Sequence, residues 1–318
     1  MKQFVTGGAG FIGSNYVRHV LMHTDDVVTV YDALTYAGNL STLKDVDDSP
    51  RYTFVKGNIC DPGTLEESMA GHDAVVHFAA ESHVDRSIAG PDDFINTNCF
   101  GTNIVMDTAR RLAMARVVHI GTDEVYGSVE VGSSKESDPL EPRSPYSASK
   151  AGSDLIALSY HHTYGLPVTV TRCTNNFGPY QYPEKAIPLF TTNLLEGKKL
   201  PLYGDGLNER DWLFVDDHCS GVLLVLHQGE PGEIYNIGAG NETPNRVLVD
   251  KLLALLGVGE EMVDYVEDRL GHDRRYSVDI AKITALGWRK RRTLDEALAE
   301  TVDWCRANEW WWRPLKSQ

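Results

Sequence analysis

Two groups of side chains in this sequence have the types and spacing that acid–base chemistry needs. Thr122, Asp123 and Glu124 follow one another in "GTDEVYGS", directly after the apolar run "ARVVHI", and Tyr146 and Lys150 lie four residues apart in "SPYSASK". Adjacent acids repel each other and burial disfavours their charged forms, so two such carboxyls tend to divide into one ionised and one protonated group. This division would supply a base and an acid side by side. A solvated loop is the alternative that these residues alone leave open.

The tyrosine and lysine fit a helix that begins just before them. Ser144 can cap such a helix and Pro145 can take its first position, so the spacing of four places Tyr146 and Lys150 on one face. The pKa of a free phenol, about 10, is too high for a base at neutral pH. A neighbouring ammonium and an oxidised nicotinamide would stabilise the phenolate. Because the same spacing is common in unrelated helices, the pair predicts a redox base only where a nicotinamide site precedes it.

The start of the chain carries a glycine pattern typical of dinucleotide binding. Gly7, Gly10 and Gly13 fall in "TGGAGFIG", between an apolar strand and a helical segment. Glycines there permit a tight turn, the approach of backbone N–H groups to a pyrophosphate and close packing of helix on sheet. Asp32 ends the next predicted strand about twenty residues later, where an acid accepts hydrogen bonds from ribose hydroxyls and repels a 2′-phosphate. The pattern predicts an NAD site.

Strands and helices alternate over the first half of the chain and would position these residues. The predicted strands are "KQFVTG", "VVTVYD", "YTFVKG", "AVVHFAA", "RVVHIGT" and "PVTVTRC". Helical segments such as "SNYVRHVLMH", "GTLEESMAG" and "GTNIVMDTARRLA" lie between most of them. Near-continuous apolarity indicates strands buried on both faces, and the alternation predicts an α/β fold with a doubly wound parallel sheet. We therefore predict a Rossmann-type NAD-binding domain over residues 1–175.

The second half of the chain has a different pattern. Turn signals become dense, and helical patterns occur near 247–257 and 294–307. This change predicts a smaller, mixed α/β domain over residues 176–318 that supplies loops over the carboxyl edge of the sheet, with some segments returning to the first domain. The terminal "EWWWRP" is expected to be a packing anchor for the chain end.

Composition excludes several classes of protein. The 318 residues, 42% hydrophobic and 24% charged, are typical of a globular protein, and a net charge of -15 argues against a nucleic-acid or anionic-membrane surface. The five cysteines contain no CxxC pair and the eleven histidines no ligand spacing, so neither a disulfide framework nor a metal site is predicted. No run approaches the roughly 18 apolar residues of a membrane span, and the N-terminus lacks a signal-peptide pattern. We expect a reduced, cytoplasmic protein without a metal.

Together, the motifs make this sequence similar to the extended short-chain dehydrogenase/reductase family, whose signature is this fingerprint, a Ser or Thr, and YxxxK. Within that family it resembles the dTDP-glucose 4,6-dehydratases over nearly the whole chain. The matching segments are "TGGAGFIGS", "LTYAGNL", "AAESHVDRSI", "TDEVYG", "SPYSASKA", "NNFGPYQYPEK", "LPLYGDG", "RDWLFVDDH", "YNIG" and "GHDRRYSVD". The resemblance implies an NAD-dependent lyase that acts on a nucleotide sugar, with residues 176–318 mainly binding that substrate, and it implies a homodimer.

The resemblance also implies a role for each catalytic residue. Tyr146, supported by Lys150, takes the proton of the sugar 4-OH while NAD takes the C4 hydride, and Thr122 hydrogen-bonds that oxygen. Glu124 is then the base at C5, and Asp123 is the acid that protonates the departing 6-OH. Return of the hydride to C6 gives dTDP-4-keto-6-deoxy-glucose. Related epimerases have small or uncharged residues in place of the two acids.

Binding residues follow from the same resemblance. Cofactor contacts are implied for Gly7, Gly10, Phe11, Ile12, Gly13, Asp32, Leu34, Thr35, Asn58, Ile59, Ala79, Ala80, Ser82, Thr97, Tyr146, Lys150 and Asn176. Substrate contacts are implied for Ser82, Thr122, Asn175, Lys185, Ala186, Ile187, Pro188, Leu189, Phe190, Pro201, Leu202, Tyr203, Arg210, Asn245, His272 and Tyr276. Arg210 also fits a diphosphate physically, because its forked donors match two phosphate oxygens. The alternative for Arg210 is a surface pair with Asp211.

Two positions depart from the family pattern, and several functions remain open. Asn58 replaces an Asp near the expected adenine, although its amide can still accept a hydrogen bond, and Leu270 replaces a Pro in a substrate loop. The alternatives are a UDP-glucose 4,6-dehydratase, a nucleotide-sugar 4-epimerase or decarboxylase on the same scaffold, and an inactive NAD-binding regulator. The acids in "TDE" argue against an epimerase, and the complete catalytic set argues against an inactive protein.

Overall fold

The computed structural model describes residues 1–268 and 273–316, and strands pass through both halves of the chain. In this part of the chain the strands are β1 (Lys2–Thr6), β2 (Val27–Asp32), β3 (Tyr52–Lys56), β4 (Ala74–His77), β5 (Arg116–Thr122), β6 (Val168–Cys173), β7 (Asn175–Phe177), β8 (Leu200–Tyr203), β9 (Glu209–Phe214), β10 (Ile234–Ile237), β11 (Glu242–Pro244) and β12 (Val263–Val266). The six predicted strands are all present. The fourth is shorter than predicted and ends at His77.

Helices separate most of these strands. They are α1 (Phe11–His23), α2 (Pro62–Met69), α3 (Val84–Ala89), α4 (Asp92–Phe94), α5 (Thr102–Arg111), α6 (Pro145–Tyr164), α7 (Ala186–Leu195), α8 (Val215–Gln228), α9 (Asn245–Leu256), α10 (Ala281–Ala285), α11 (Leu294–Ala307) and α12 (Glu309–Leu315). A π-helix, Ile95–Gly101, leads directly into α5. No helix in the described ranges is long and apolar enough to cross a membrane.

The central sheet has seven parallel strands in the order β10-β6-β5-β4-β1-β2-β3. One apolar core joins its first face to α1 and α8, and a second joins the opposite face to α2, α5 and α6. Strands covered on both faces must be apolar throughout, which explains the continuous runs of Val and Ile. The predicted doubly wound parallel sheet is therefore confirmed.

The cap residues of α6 explain how the helix with the Tyr–Lys pair begins and ends. The Ser144 hydroxyl accepts a hydrogen bond from the backbone N–H of Ser147, and the Ser147 side chain hydrogen-bonds back to the Ser144 backbone. Pro145 takes the first helical turn, as predicted. The helix ends at Gly165 in the left-handed region, with φ of 71°. These signals fix where Tyr146 and Lys150 lie along the helix.

A third apolar core lies beyond the sheet. Here β7, β9 and β11 form a three-stranded sheet and β8 pairs with β12. Apolar side chains of α7, α9 and α11 pack against these strands. The chain also crosses back, because β10 joins the central sheet and α8 packs against it. At the chain end, Trp311 and Trp312 of α12 are buried with Tyr180, Tyr182, Leu195 and Trp304, so the predicted packing anchor is confirmed.

Candidate active site

A cavity of about 330 Å³ opens at the carboxyl edge of the central sheet. Its walls come from the β1–α1 turn, from the ends of β2, β4, β5 and β6, from α6 and from residues 180–185. Ligands of open parallel sheets bind at this edge, because the loops that follow the strands meet there. The cavity therefore brings the glycine pattern and both groups of acid–base residues to one place.

The glycine turn leaves no room for side chains. Gly7 has φ of 70°, and a Cβ there would lie 2.5 Å from the backbone nitrogen of Ala79. A Cβ on Gly13 would lie 2.3 Å from the carbonyl oxygen of Gly7. Both positions thus require glycine, which brings the backbone and the N-terminus of α1 up to the cavity wall.

Asp32 ends β2 at the cavity, and its carboxylate is held by the backbone. Oδ2 accepts a hydrogen bond from the N–H of Ala9 at 3.0 Å, and Oδ1 accepts one from the N–H of Leu34 at 2.8 Å. Burial raises the pKa of Asp32, and these two hydrogen bonds oppose the shift. Each oxygen keeps acceptor capacity for a diol.

The residues present fit a dinucleotide. Every residue that the sequence assigned to the cofactor lines the cavity except Leu34, which contributes the hydrogen bond to Asp32. The side-chain oxygens of Asn175 and Asn176 are buried at the cavity without a hydrogen-bond partner, so acceptors are left for a ligand. Asn58 is exposed at the rim, where its Oδ1 accepts from the N–H of Cys60 at 2.9 Å. Because Oδ1 makes that contact, the other polar atom of the Asn58 side chain is the amide nitrogen, a donor. An Asp at this position would have a second carboxylate oxygen there, an acceptor.

The two acids stand where β5 gives way to a 3-10 helix, Asp123–Tyr126. Thr122 caps this turn, since its hydroxyl accepts a hydrogen bond from the Glu124 N–H at 3.3 Å. The chain therefore leaves strand geometry at Asp123. As a result, Asp123 and Glu124 both line the cavity instead of pointing to opposite faces of the sheet.

The environments of the two acids differ. Asp123 is 3% exposed and its Oδ2 has no hydrogen-bond partner, whereas Glu124 is half-buried. Burial, followed by the charges of Glu124 and Asp211, raises the pKa of Asp123 well above its usual range, while Arg210 and the Thr122 hydroxyl oppose the shift. Burial beside a second acid therefore favours the protonated form of the Asp123 carboxyl.

Tyr146 and Lys150 lie on the same wall, both buried. The Lys150 ammonium donates a hydrogen bond to the carbonyl oxygen of Ile120 at 2.6 Å, which fixes it beneath the end of β5. Burial raises the pKa of Tyr146 and the charge of Glu124 adds to the shift, while a hydrogen bond with Thr122 opposes it. Burial also lowers the pKa of Lys150. A phenol in this site needs nearby positive charge before it can act as a base.

Only part of the predicted substrate set lines this cavity. Ser82, Thr122, Asn175 and Lys185 do, and the Lys185 ammonium donates to the carbonyl oxygen of Ser82 at 3.0 Å. The others lie farther along the chain on α7, β8, β9, the start of α9 and the segment after residue 273, namely Ala186, Ile187, Pro188, Leu189, Phe190, Pro201, Leu202, Tyr203, Arg210, Asn245 and Tyr276. Among these, the side chains of Ile187, Phe190 and Leu202 belong to the third core, beyond the central sheet. His272 and Leu270 lie outside the described residues.

Arg210 approaches the acids from β9. It is 5% exposed, donates to the backbone oxygens of Glu209 and Asp273, and stacks on the Tyr276 ring at 4.4 Å. Asp211 is also buried, and its carboxylate accepts backbone N–H groups from residues 239–241. A surface pair between Arg210 and Asp211 is therefore excluded. The charge of Arg210 acts on Asp123 and that of Glu124 on Tyr276, so the four side chains are electrostatic neighbours.

Several cavity residues were missed by the sequence analysis. Those that the structure adds include Tyr36, Glu81, Cys173, Thr174, Tyr180, Gln181, Tyr182, Glu184 and Trp311. Tyr36 and Tyr182 meet edge to face at 5.7 Å, and the Arg86 guanidinium lies 3.7 Å from the centre of the Tyr36 ring. The quoted segments "LTYAGNL" and "NNFGPYQYPEK" contain the tyrosines, but no spacing marks them as neighbours. Within residues 1–268 and 273–316, no cluster of three or more His, Cys, Asp or Glu side chains could hold a metal ion.

A doubly wound parallel sheet, a glycine turn with a following acid and a Thr–Tyr–Lys set around one cavity define an extended short-chain dehydrogenase/reductase. A family model described as GDP-mannose 4,6 dehydratase matches residues 4–301. The chain belongs to this family of nucleotide-sugar 4,6-dehydratases.

Characterised relatives and a solved structure are similar over the full length of the chain. It is 57% identical to a dTDP-glucose 4,6-dehydratase of Streptomyces antibioticus, over 100% of this chain and 96% of the relative. It is 52% identical to that of Streptomyces niveus, again over 100% and 96%. The crystal structure of DesIV, a dTDP-glucose 4,6-dehydratase from Streptomyces venezuelae with NAD and TYD bound, is similar with a TM-score of 0.97 and 56% identity, covering 99% of this chain and 100% of that one.

Proposed function

We propose that this protein is an NAD-dependent dTDP-glucose 4,6-dehydratase, a hydro-lyase that forms dTDP-4-keto-6-deoxy-glucose. The observation that carries the proposal is the acid pair beside the Tyr–Lys pair in one cavity. Oxidation alone needs Thr122, Tyr146 and Lys150. Asp123 and Glu124 supply what that oxidation does not need, an acid and a base for loss of water.

In the first step, Tyr146 receives the proton of the sugar 4-OH. Lys150, held by the Ile120 carbonyl, provides the positive charge that favours the phenolate in this buried site. The Thr122 hydroxyl hydrogen-bonds the same oxygen and orients it. The bound NAD supplies the redox chemistry, because it accepts the hydride of C4 and returns it to C6.

The ketone at C4 makes the C5 hydrogen acidic, and the two acids then divide the elimination. Glu124, the more exposed of the two, takes the C5 proton, and a proton returns to C5 when the hydride reaches C6. Asp123, which burial keeps protonated, gives its proton to the departing 6-OH. The different surroundings of the two acids support this division of roles.

We propose that NAD and the nucleotide sugar are held mainly by different parts of the chain. Residues 1–175 hold NAD mainly through the glycine turn and Asp32, and Asn176 adds a contact from just beyond this range. Residues 176–318 mainly hold the nucleotide sugar, with Arg210 as donor to the diphosphate, while β10 and α8 return to the first domain. Location in the cytoplasm stays a prediction from the sequence.

The proposal is tested with dTDP-glucose deuterated at C4. The expected product has lost water and carries the label at C6, because the hydride leaves and returns within one site. UDP-glucose in the same assay measures the preference for the base. An intact hexose epimerised at C4 would identify an epimerase, and binding of NAD without turnover would favour the regulator.

We further propose that the protein is a homodimer that pairs through α6 and its neighbours. Large apolar side chains are exposed there, at Ile95 and Phe100 of the π-helix and at Leu155 and Tyr164 of α6, each more than half exposed. Gly152 lies against Cys99, so these two elements pack side by side. A second copy of the chain would cover this surface.

Leu155→Asp is expected to convert the dimer to a monomer, because a carboxylate would be buried without a partner in the paired surface. Light scattering coupled to size exclusion measures the mass. Val131→Asp is the matched control, since Val131 is 91% exposed in a loop away from α6, and its mass should equal that of the wild type. A monomeric wild type, or a dimer that survives Leu155→Asp, contradicts the proposal.

A further inference from the structure

Three buried side chains follow one another along a single face of α6. Tyr146, Lys150 and Asp154 are spaced four residues apart, so each lies one turn beyond the last. The proposed reaction uses the first two and has no part for the third. Asp154 is 0% exposed, and an ionised carboxylate is placed in such a site only when other charges compensate it.

Asp154 reaches the same point of the sheet as Lys150. The Lys150 ammonium donates to the carbonyl oxygen of Ile120, while the two carboxylate oxygens of Asp154 lie at Gly121. A Cβ on Gly121 would come 2.8 Å and 3.1 Å from these oxygens. The ammonium and the carboxylate therefore flank adjacent residues of β5, and the glycine of "GTDE" leaves the space that the carboxylate occupies.

The partners of Asp154 hold it in this position. The Arg172 Nε lies 2.8 Å from Oδ2, and Arg172 also donates to the Tyr126 hydroxyl at 2.8 Å. The His119 Nε2 lies 3.3 Å from Oδ1. Burial opposes ionisation of Asp154, but His119 and the charges of Arg172 and Lys150 bring its pKa below the ordinary value. The carboxylate is thus an anion beneath the catalytic lysine.

Titratable groups surround Lys150 on each element packed against it. From β4, β5, β6, the π-helix and α6 these are His77, His119, Arg172, Cys173, Cys99, Tyr146 and Asp154. The 3-10 helix adds Asp123 and Glu124, whose charges act on Tyr146 and Cys173 at the cavity. Burial lowers the pKa of both histidines and raises those of both thiols and of Tyr146, so these five groups are neutral at neutral pH. Lys150 and Arg172 are the cations here, and Asp154 is the carboxylate whose charge acts on Lys150.

We propose that Asp154 is a positioning residue for the proposed dehydratase reaction: its buried carboxylate, anchored by Arg172, keeps the Lys150 ammonium charged beneath Tyr146. Without this anion, two cations would be buried together and Lys150 would lose its proton more readily. Tyr146 would then lose the charge that favours its phenolate. Asp154 acts through Lys150 and does not contact the substrate.

The titration of Lys150 itself tests this inference. In protein with isotope-labelled lysine, the ε-carbon signal of Lys150, assigned with Lys150→Arg, reports its midpoint. Asp154→Asn is expected to lower that midpoint by about one pH unit, because one nearby negative charge is lost. Arg172→Gln should move it in the opposite direction, since Asp154 then faces one cation instead of two. The alkaline decline of kcat should shift in the same direction as the Lys150 midpoint. The Lys150 signal is the decisive measurement, because Asp123 also titrates in this site.

The control is Ser153→Ala, which removes a buried hydroxyl beside Asp154 without a change of charge and should leave the midpoint in place. If Asp154→Asn does not fold, Asp154→Asn/Arg172→Gln removes both charges and should still lower the midpoint, because Asp154 is one helical turn from Lys150. An unchanged midpoint, or shifts of the same sign in the two single variants, overturns the inference. A wild type that does not turn over dTDP-glucose refutes the proposed function instead.

Discussion

Tyr146→Phe is expected to lower kcat by about 10²–10⁴-fold, the range for loss of a positioned general base. In the proposed mechanism the Tyr146 phenolate receives the 4-OH proton, and oxidation at C4 precedes every other step. Without the ketone the C5 hydrogen is not acidic, so it should not exchange with deuterated solvent. Product formation and C5 exchange, both followed by NMR, should therefore disappear together.

The control for this variant is Tyr160→Phe on the same helix. The Tyr160 hydroxyl donates to Asn103 outside the cavity, so its loss should leave both signals near the wild-type level. Retention of the fold and of NAD by Tyr146→Phe is checked by thermal unfolding and by cofactor content. If Tyr146→Phe keeps C5 exchange, another group is the base at O4 and the proposed first step is wrong.

Asp123→Asn and Glu124→Gln are each expected to lower kcat by about 10²–10⁴-fold, but each should impair a different step of the elimination. Glu124→Gln removes the proposed base, so C5 exchange with solvent should fall along with product. Asp123→Asn removes the acid only, so C5 exchange should continue while water is not lost. The same NMR assay thus separates two substitutions that have the same effect on overall activity.

The pH dependence of the wild type should follow from the burial of Asp123. Its pKa is raised, so the acid form needed for loss of water is present at low pH and is lost as the pH rises through the raised value.

Glu130→Gln, in the exposed loop that follows the acids, is the matched control for the two acid substitutions and should leave activity and exchange unchanged. Exchange that is lost in Asp123→Asn but kept in Glu124→Gln would reverse the two roles.

Local signals in the sequence were sufficient for the elements that carry the site. The apolar runs predicted the six strands from β1 to β6, because a strand covered on both faces must be apolar along its length. Ser144 and Pro145 predicted the start of α6, since caps act within one turn. The glycine turn and Asp32 predicted the cofactor-binding edge of the sheet for the same reason. Their contacts involve residues close to them in the chain or next to the adjacent strand.

The tertiary structure decided the properties that depend on residues far apart in the chain. The raised pKa of Asp123 comes from burial, from the charge of its neighbour Glu124 and from Asp211 on β9, some ninety residues away. Asp154 is an anion because Arg172 reaches it from β6, and Trp311 reaches the cavity from the chain end. The sequence determined which chemical groups are present, and their spacing determined which helix face they share. Their charge states required the folded molecule, because desolvation and Coulomb energy depend on distance in space and not on distance along the chain.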